Sequence, residues 1–397
     1  MNSTASHSMD SLAILGASPA FPSAISCGQQ YFPDWERYEK AFNGIFERQY
    51  YTNQGPLASE LERRLQAFLG VKHAVCVTND TIALVMAAEA MGLKGKVILP
   101  AISSPAAVHS LGWVGLEPVF CDIDADTGHI DPTAVAALVD KDTSAILGVN
   151  PWGGRCDEAA LHSVAERYGL KIFFDSSQAF GVRPSRLPPA SRGQVDVYSF
   201  SADHILNATE GGCICTDDDM LAARLRNIRS SYGAGAPVDV DKTSNGRMSE
   251  AQAALALLAL DDFETYKQRN KALFERYLAE TSMIPGLRAI LPGDGNDSNY
   301  QQFVCEVRED EFGLDAEALV EALKAENVHA RMPFHPLGNH AASVPCISTL
   351  KNAATLGERL VEMPLGAHLS LDAVGRIGQL ARAIHARAPE IRRRRGG

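Results

Sequence analysis

The strongest constraint on the fold is a regular alternation of short β-rich runs with amphipathic helical stretches, which begins near Leu57. Seven of the runs read as strands: 73–78, 96–99, 117–121, 144–149, 171–174, 195–200 and 212–216. Helices are predicted between most of them, at 81–91, 106–114, 131–139 and 158–168. This alternation predicts an α/β fold with a mostly parallel seven-stranded sheet that helices cover on both faces.

The rest of the chain predicts a second, smaller unit. An apolar helix is predicted from Glu250 to Leu260, and a charged sequence with a helical pattern continues to about Ser282. A strand over 300–307 follows, with helices over 319–326 and 371–385. The chain of 397 residues is long enough for two sizeable cores. We therefore predict an N-terminal arm (1–35), a large domain (36–262) and a small C-terminal α+β domain (263–397).

Composition excludes some classes of partner. The net charge of −11 argues against nucleic acid or an anionic membrane as the main partner, although a local pocket can still be positive. The longest apolar stretch, Ala253 to Leu260, is too short to span a bilayer, and the first thirty residues show no targeting pattern. The eight cysteines are scattered, which predicts reduced thiols in a cytoplasmic protein. Cys213 and Cys215 would share one face of a strand as buried thiols.

Polar side chains follow several predicted strands at their carboxyl ends, where ligands of open α/β sheets gather. Thr78-Asn-Asp-Thr81 opens a helix and suits either a phosphate or an ordinary N-cap. Asp175 begins Asp-Ser-Ser-Gln178 and suits either a protonated ring nitrogen or an N-cap. Ser199 can bind phosphate and His204 can act as a base, although a lone loop histidine is more often solvated.

Taken together, the order and spacing of these segments resemble the DegT/DnrJ/EryC1/StrS family, the PLP-dependent nucleotide-sugar aminotransferases and their dehydratase relatives of fold type I. The resemblance runs from about Leu12 to the end of the chain. The matching pieces are Tyr51-Thr-Asn-Gln-Gly-Pro56 with Glu60, Val97-Ile-Leu-Pro100, Pro118-Val-Phe-Cys-Asp-Ile-Asp124, Asp175-Ser-Ser-Gln-Ala-Phe-Gly181, Ser199-Phe200 with Glu210-Gly-Gly212, Arg247-Met-Ser-Glu-Ala-Gln-Ala-Ala254 and Met363-Pro-Leu365.

The resemblance assigns roles to five residues. It implies that Asp175 pairs with the pyridinium nitrogen of the cofactor and that Gln178 lies near the ring hydroxyl. Thr81 and Ser199 would hold the phosphate. Asn245 would reach the phosphate of a neighbouring subunit, which implies a homodimer with a shared site.

The same resemblance places His204 where these enzymes carry the lysine that binds PLP covalently. Imidazole cannot form that bond, so PLP or pyridoxamine 5′-phosphate (PMP) would be held non-covalently. One branch of the family, the PMP-dependent sugar 3-dehydratases, also has histidine here. There PMP condenses with a 4-keto sugar, the histidine removes a proton and the C3 hydroxyl leaves. The resemblance thus implies a lyase of sugar biosynthesis with His204 as base and a nucleotide-linked keto sugar as substrate.

Three positions at the cofactor depart from the family pattern. Asp80 replaces the usual glycine before Thr81, and a carboxylate there repels phosphate unless it points away. Ser104 stands where an aromatic residue usually stacks on the cofactor ring. Thr209 replaces the usual glycine before Glu210. Trp152, at another strand end, either supplies a ring or packs in the core.

These departures leave other hypotheses open. One is a non-catalytic relative that binds a ligand or a partner subunit. Another is an aminotransferase with a substitute lysine, for which Lys242 is the nearest candidate downstream. His335 lies in a region that the family uses for substrate, where a structural or solvated role is the simpler interpretation. We expect neither a metal site nor an iron–sulfur cluster, since only Cys213, Cys215, Cys305 and Cys346 follow His204. Gly233-Ala-Gly235 follows helical text, which excludes a nicotinamide fingerprint.

Overall fold

The computed structural model describes residues 11–28, 31–183, 195–231, 235–292, 298–333 and 350–396. The strands are β1 (Ile25–Ser26), β2 (His73–Val77), β3 (Lys96–Pro100), β4 (Glu117–Cys121), β5 (Thr143–Val149), β6 (Lys171–Asp175), β7 (Val195–Ser199), β8 (Gly212–Thr216), β9 (Leu287–Ala289), β10 (Phe303–Val307), β11 (Val328–His329) and β12 (Leu360–Met363). The helices are a short 3-10 turn (Ala13–Leu15), α1 (Trp35–Arg48), α2 (Pro56–Leu69), α3 (Asp80–Ala90), α4 (Pro105–Trp113), α5 (Pro132–Leu138), α6 (Glu158–Tyr168), α7 (Asp219–Arg229), α8 (Glu250–Thr281), α9 (Glu309–Phe312), α10 (Ala316–Ala325), α11 (Lys351–Gly357), α12 (Leu371–Ala386) and α13 (Ala388–Arg395).

The main sheet has seven strands in the order β2-β8-β7-β6-β5-β3-β4. All neighbouring pairs are parallel except those of β8, which runs antiparallel to both β2 and β7. The predicted α/β fold with a mostly parallel seven-stranded sheet is therefore confirmed. Helices cover both faces because side chains alternate along each strand. On β2, Val75 and Val77 pack in the core with α3 and α7, whereas Ala74 and Cys76 pack in the core with α2 and α8.

Helix α8 is continuous over 32 residues and links two cores. Its start is fixed by a capping box, in which Ser249 and Gln252 satisfy each other's backbone amides. Phe263 packs in the core of the main sheet, and Leu273 packs in the core around the second sheet. The predicted domain change near residue 262 falls inside this helix, so the division into domains stays a prediction.

The second sheet has three antiparallel strands in the order β12-β10-β9. The sequence predicted that this strand begins at Tyr300, whereas β10 begins at Phe303. The preceding residues cannot extend the strand because Tyr300 adopts φ 55° and the side chains of Asn299 and Gln301 bond to loops of the main sheet. Within the ranges that the structure describes, no helix is long and apolar enough to cross a membrane.

Candidate active site

The candidate site lies at the edge of the main sheet where β6 ends at Asp175 and β7 ends at Ser199. Ser199 is paired with Gly212, the first residue of β8. A Cβ on Gly212 would lie 3.0 Å from the carbonyl carbon of Asn79 and 3.1 Å from the amide nitrogen of Asp80. The glycine therefore allows the N-terminus of α3 to approach the sheet beside Ser199.

Asp175 is a buried carboxylate, 4% exposed. The hydroxyl and the amide of Ser177 both donate to its Oδ1, at 2.6 and 3.1 Å. Burial raises the pKa of Asp175, the nearby charge of Asp80 raises this pKa further, and His204 acts in the opposite direction. Asp175 therefore lies within electrostatic range of both Asp80 and His204.

His204 is largely buried and lies beside Asp203. Its Nδ1 is 3.1 Å from Asp203 Oδ1, without the alignment of a hydrogen bond. Its backbone amide donates to the Ser201 carbonyl at 3.0 Å, which fixes the turn. The adjacent imidazole holds the pKa of Asp203 at about 2. The structure thus places an imidazole, a group that can accept and donate protons, beside a carboxylate in the loop after β7.

At the N-terminus of α3, side chains bond to two backbone amides. Asn79 is the N-cap, and its Oδ1 accepts from the Ile82 amide at 2.9 Å. Asp80 Oδ1 accepts from the Thr81 amide at 2.9 Å. Free amides at a helix N-terminus are what a phosphate binds, so the Asp80 carboxylate takes one position of such a site. Ser199 is fully buried, and its Oγ accepts a long 3.4 Å contact from the Ser201 amide.

Gln178 is held in one orientation. Its Oε1 accepts from the Trp152 amide at 2.8 Å, which leaves its Nε2 available to donate to a ligand oxygen. Trp152 itself is 4% exposed, adopts φ 58° and belongs to the hydrophobic core with Ile290 and Leu356. Of the two interpretations of Trp152, core packing is the one that its burial favours.

The remaining predicted residues have local contacts. Ser104 caps α4, and its Oγ accepts from the Ala107 amide at 3.1 Å. The neighbouring Ser103 Oγ is buried without a hydrogen-bond partner in the described part of the chain. Asn245 is exposed and accepts two bonds from Arg247, at 3.0 and 2.8 Å. Its contact with a second subunit stays a prediction, and His335 and Cys346 lie outside the described residues.

Cys213 and Cys215 share a strand face as predicted, with their sulfur atoms 3.7 Å apart. Both thiols are buried in β8, whereas Cys305 lies in β10 of the second sheet. The described residues contain no cluster of histidine, cysteine or acidic side chains suited to a metal ion.

The sequence analysis missed a buried charged network behind Asp175. Arg155 pairs with Glu158 and lies 2.8 Å from Asp196 Oδ1. The hydroxyl of Ser176 donates to the same Asp196 oxygen at 2.7 Å. The network thereby anchors the turn that follows Asp175. An acidic residue inside the apolar strand 195–199 was the signal that could have found it, because buried carboxylates are normally paired.

No lysine stands between Lys171 and Lys242 in the sequence. Lys171 donates to the carbonyl of Met91, beyond the C-terminal end of α3, and Lys242 pairs with Glu89 at 3.0 Å. Glu89 and Asp80 are at opposite ends of α3, about 13 Å apart along its axis. Within one protomer, Lys242 is therefore held away from the candidate site.

The fold and this site define a protein of PLP fold type I. The sequence matches the DegT/DnrJ/EryC1/StrS aminotransferase family over residues 34–381. The chain belongs to this family, and the resemblance stated above is confirmed.

Similar proteins agree with this assignment. A dTDP-4-amino-4,6-dideoxy-D-glucose transaminase from Shigella dysenteriae is 32% identical over 365 residues, which cover 90% of this chain and 98% of that protein. The spore coat polysaccharide biosynthesis protein SpsC of Bacillus subtilis is 29% identical over 352 residues, covering 84% and 90%. The crystal structure of DesI, determined in the presence of its TDP-sugar product, superposes with a TM-score of 0.93 at 34% identity and covers 98% of this chain and 100% of that one. The family and its structural neighbours depend on PLP or PMP.

The residues of the site fit such a cofactor, with one exception. Asp175 is a buried carboxylate at the end of β6, and the Ser199 hydroxyl is buried at the end of the neighbouring β7. Among the described residues, the Gln178 side chain is bonded through Oε1, which leaves its Nε2 to donate to a ligand. The exception is Asp80, whose carboxylate must release the Thr81 amide before a phosphate can use it.

Proposed function

We propose that this chain binds PMP, or PLP without a covalent bond, and catalyses dehydration of a nucleotide-linked keto sugar, with His204 as the base. The observation that carries the proposal is the placement of His204 beside Asp203 and within electrostatic range of Asp175, in a chain with no lysine between Lys171 and Lys242. Relatives named for dTDP-sugar chemistry support the substrate class. The proposal makes the chain a lyase within an aminotransferase family.

When bound, PMP or PLP supplies an electron sink that stabilises negative charge on the carbon attached to it. Asp175 would hold the ring nitrogen through a charge-assisted hydrogen bond, which offsets the cost of its own burial. Gln178 Nε2 would donate to the ring hydroxyl oxygen. Ser199 and Thr81 would hold the phosphate.

His204 would accept at Nε2 the proton released by the carbon attached to the cofactor, and would deliver it to the departing sugar hydroxyl, which leaves as water. The Asp203 carboxylate at 3.1 Å from Nδ1 would stabilise the imidazolium that forms. Asn245, which is exposed in the protomer, would complete the phosphate site of a second copy in a cytoplasmic homodimer.

The test is a screen of nucleotide-linked 4-keto sugars with PMP. Mass spectrometry detects replacement of one sugar hydroxyl by hydrogen, which is a net loss of one oxygen atom, and absorbance detects the matching conversion of PMP to PLP with release of ammonia. We expect His204→Asn to abolish turnover while PMP still binds. The matched control is Lys242→Ala, which should leave turnover unchanged. Full turnover by His204→Asn, or its loss in Lys242→Ala, would contradict the assigned base.

A second candidate is a non-catalytic relative, and one observation favours it: the Asp80 carboxylate bonds to the Thr81 amide at the phosphate end. In that case neither PMP nor PLP would bind the wild-type chain. Binding of either form with product formation would exclude this candidate.

A further inference from the structure

We propose that Asn299 and Gln301 are positioning residues of this site and that they hold the loops carrying Gln178 and His204. Both lie on the polar segment 298–302, which leads into β10 of the second sheet. This inference rests on the proposed function for its catalytic meaning. The bonds that support the positioning role all lie within this chain.

Asn299 binds the loop of Gln178. Asn299 is fully buried, and its Nδ2 donates to the carbonyls of Gln178 at 2.9 Å and of Phe180 at 3.1 Å. Its Oδ1 accepts from the Gln301 amide at 3.1 Å. A Cβ at position 153 would lie 2.5 Å from the same oxygen. Only glycine at this position therefore leaves space for the Asn299 side chain beside the loop of Trp152. Asn299 thus holds the backbone of Gln178, and the Trp152 amide holds its side chain.

Gln301 binds the loop of His204. Its Oε1 accepts from the amide of Ile205, the residue after His204, at 3.1 Å. Gln301 is 2% exposed and Ile205 is fully buried, so water does not replace this bond. Loss of the acceptor would leave a buried amide unpaired, and the turn Ser201–Ile205 would have to move to satisfy it.

The backbone of the segment is shaped for these contacts. Tyr300 adopts φ 55°, a conformation that side chains other than glycine, asparagine and aspartate rarely adopt. At this bend the backbone does not pair with β9 or β12, and the side chains of Asn299 and Gln301 bond to loops of the main sheet instead. Gln302, next in the segment, is also buried, at 7% exposed, but its Oε1 has no hydrogen-bond partner among the described residues. Gln302 therefore provides a matched control.

The experiment uses the full chain and three variants. Gln301→Met removes the acceptor and keeps the length of the side chain. Gln301→Glu keeps an acceptor oxygen. Gln302→Met removes a buried carboxamide whose oxygen accepts no hydrogen bond from the described residues. Hydrogen exchange of the peptide 201–206 is followed by mass spectrometry without cofactor, and the ring signal of His204 is followed by 15N NMR, assigned from its absence in His204→Asn.

We expect Gln301→Met to speed exchange in this peptide about tenfold or more and to shift the His204 ring signal. Gln301→Glu should restore both, and Gln302→Met should leave both unchanged. Equal effects of Gln301→Met and Gln302→Met would overturn the assignment. If Gln301→Met does not fold, hydrogen exchange of the wild-type chain tests the assignment. An Ile205 amide that exchanges as fast as exposed amides would overturn the assignment of Gln301 as its acceptor.

PMP affinity separates this inference from the proposed function. If PMP binds, Gln301→Met should weaken its binding and Gln301→Glu should restore it, whereas an unchanged affinity would refute the positioning role. If PMP binds none of the proteins but the exchange pattern holds, the positioning of the His204 loop stands and the proposed cofactor function fails.

Discussion

At the scale of single residues, the buried Asp175 carboxylate interacts electrostatically with two other groups of the candidate site, Asp80 and His204. Asp175 has its pKa raised chiefly by burial, Asp80 adds negative charge, and His204 opposes both effects. The family resemblance provides a role for Asp175 and His204 but none for a carboxylate at position 80. Asp80 is therefore the residue whose replacement is most informative about ligand binding.

We predict that Asp80→Gly tightens binding of PMP and PLP by about tenfold, because the change removes a carboxylate near the phosphate and frees the Thr81 amide. Isothermal titration calorimetry with both cofactor forms measures the change. Asp80→Asn is the matched control, since it removes the charge and keeps an oxygen that can bond to Thr81. Weaker binding of PMP by Asp80→Gly would show that Asp80 assists the cofactor.

Individual site residues were predictable where they stand at the end of a strand. Asp175 and Ser199 end β6 and β7, and the alternation of the sequence located both ends to within one residue. Asn299 and Gln301 were not predictable, because their partners Gln178 and Ile205 are about a hundred residues away in the chain. The sequence analysis placed residues 300–302 in a strand, and no local pattern shows that the polar segment 298–302 is buried against loops of the main sheet.

At the scale of elements, the buried strands followed the sequence closely, and α8 ends at Thr281, close to the predicted end of the helical region at about Ser282. Asp261 and Asp262 directly follow the apolar run that ends at Leu260. In the structure they lie on the surface of α8, where Asp261 pairs with Arg64 at 2.7 Å and Asp262 pairs with Arg37. Partners from α1 and α2 thus make two adjacent carboxylates compatible with a continuous helix, and no local pattern could have shown those partners.

The buried Arg155 network joins the loop after β5 and the turn after β6 to Asp196 within β7. We predict that Arg155→Met lowers the free energy of unfolding by about 3–5 kcal/mol. The reason is that Glu158 and Asp196 would be left as buried carboxylates without a cation. Urea unfolding followed by circular dichroism measures the loss. Arg63→Met, which breaks an exposed pair with Glu60, is the control and should change stability little. A loss no larger than that of the control would contradict a structural role for the network.

At the scale of the whole molecule, two cores are connected by α8 and by the segment that carries Asn299 and Gln301. The overall α/β architecture was predictable because alternation of strand and helix admits few arrangements. The way in which the second unit reaches the site was not predictable, since it depends on side-chain contacts between distant parts of the chain.

Stability should fall in mild acid because of His129. This residue is buried, and burial lowers its pKa to about 4 from an ordinary value of 6.5. Between these pH values the unfolded chain binds a proton that the folded chain does not, so stability decreases as the pH falls through this window. His129 contributes a loss of up to about 3 kcal/mol. Chemical denaturation at pH 7 and pH 4.5 measures it, and His129→Gln should show a smaller difference; an equal difference would contradict this assignment.

The central claim is that the chain holds its cofactor at Asp175 without a covalent bond. The most direct test is titration of the purified chain with PMP and with PLP by absorbance, followed by borohydride reduction of the PLP sample and measurement of the intact mass. We predict saturable binding and an unchanged mass after reduction. A mass increase from PLP fixed to a lysine, on Lys242 or elsewhere, or the absence of saturable binding by both forms, would contradict the account.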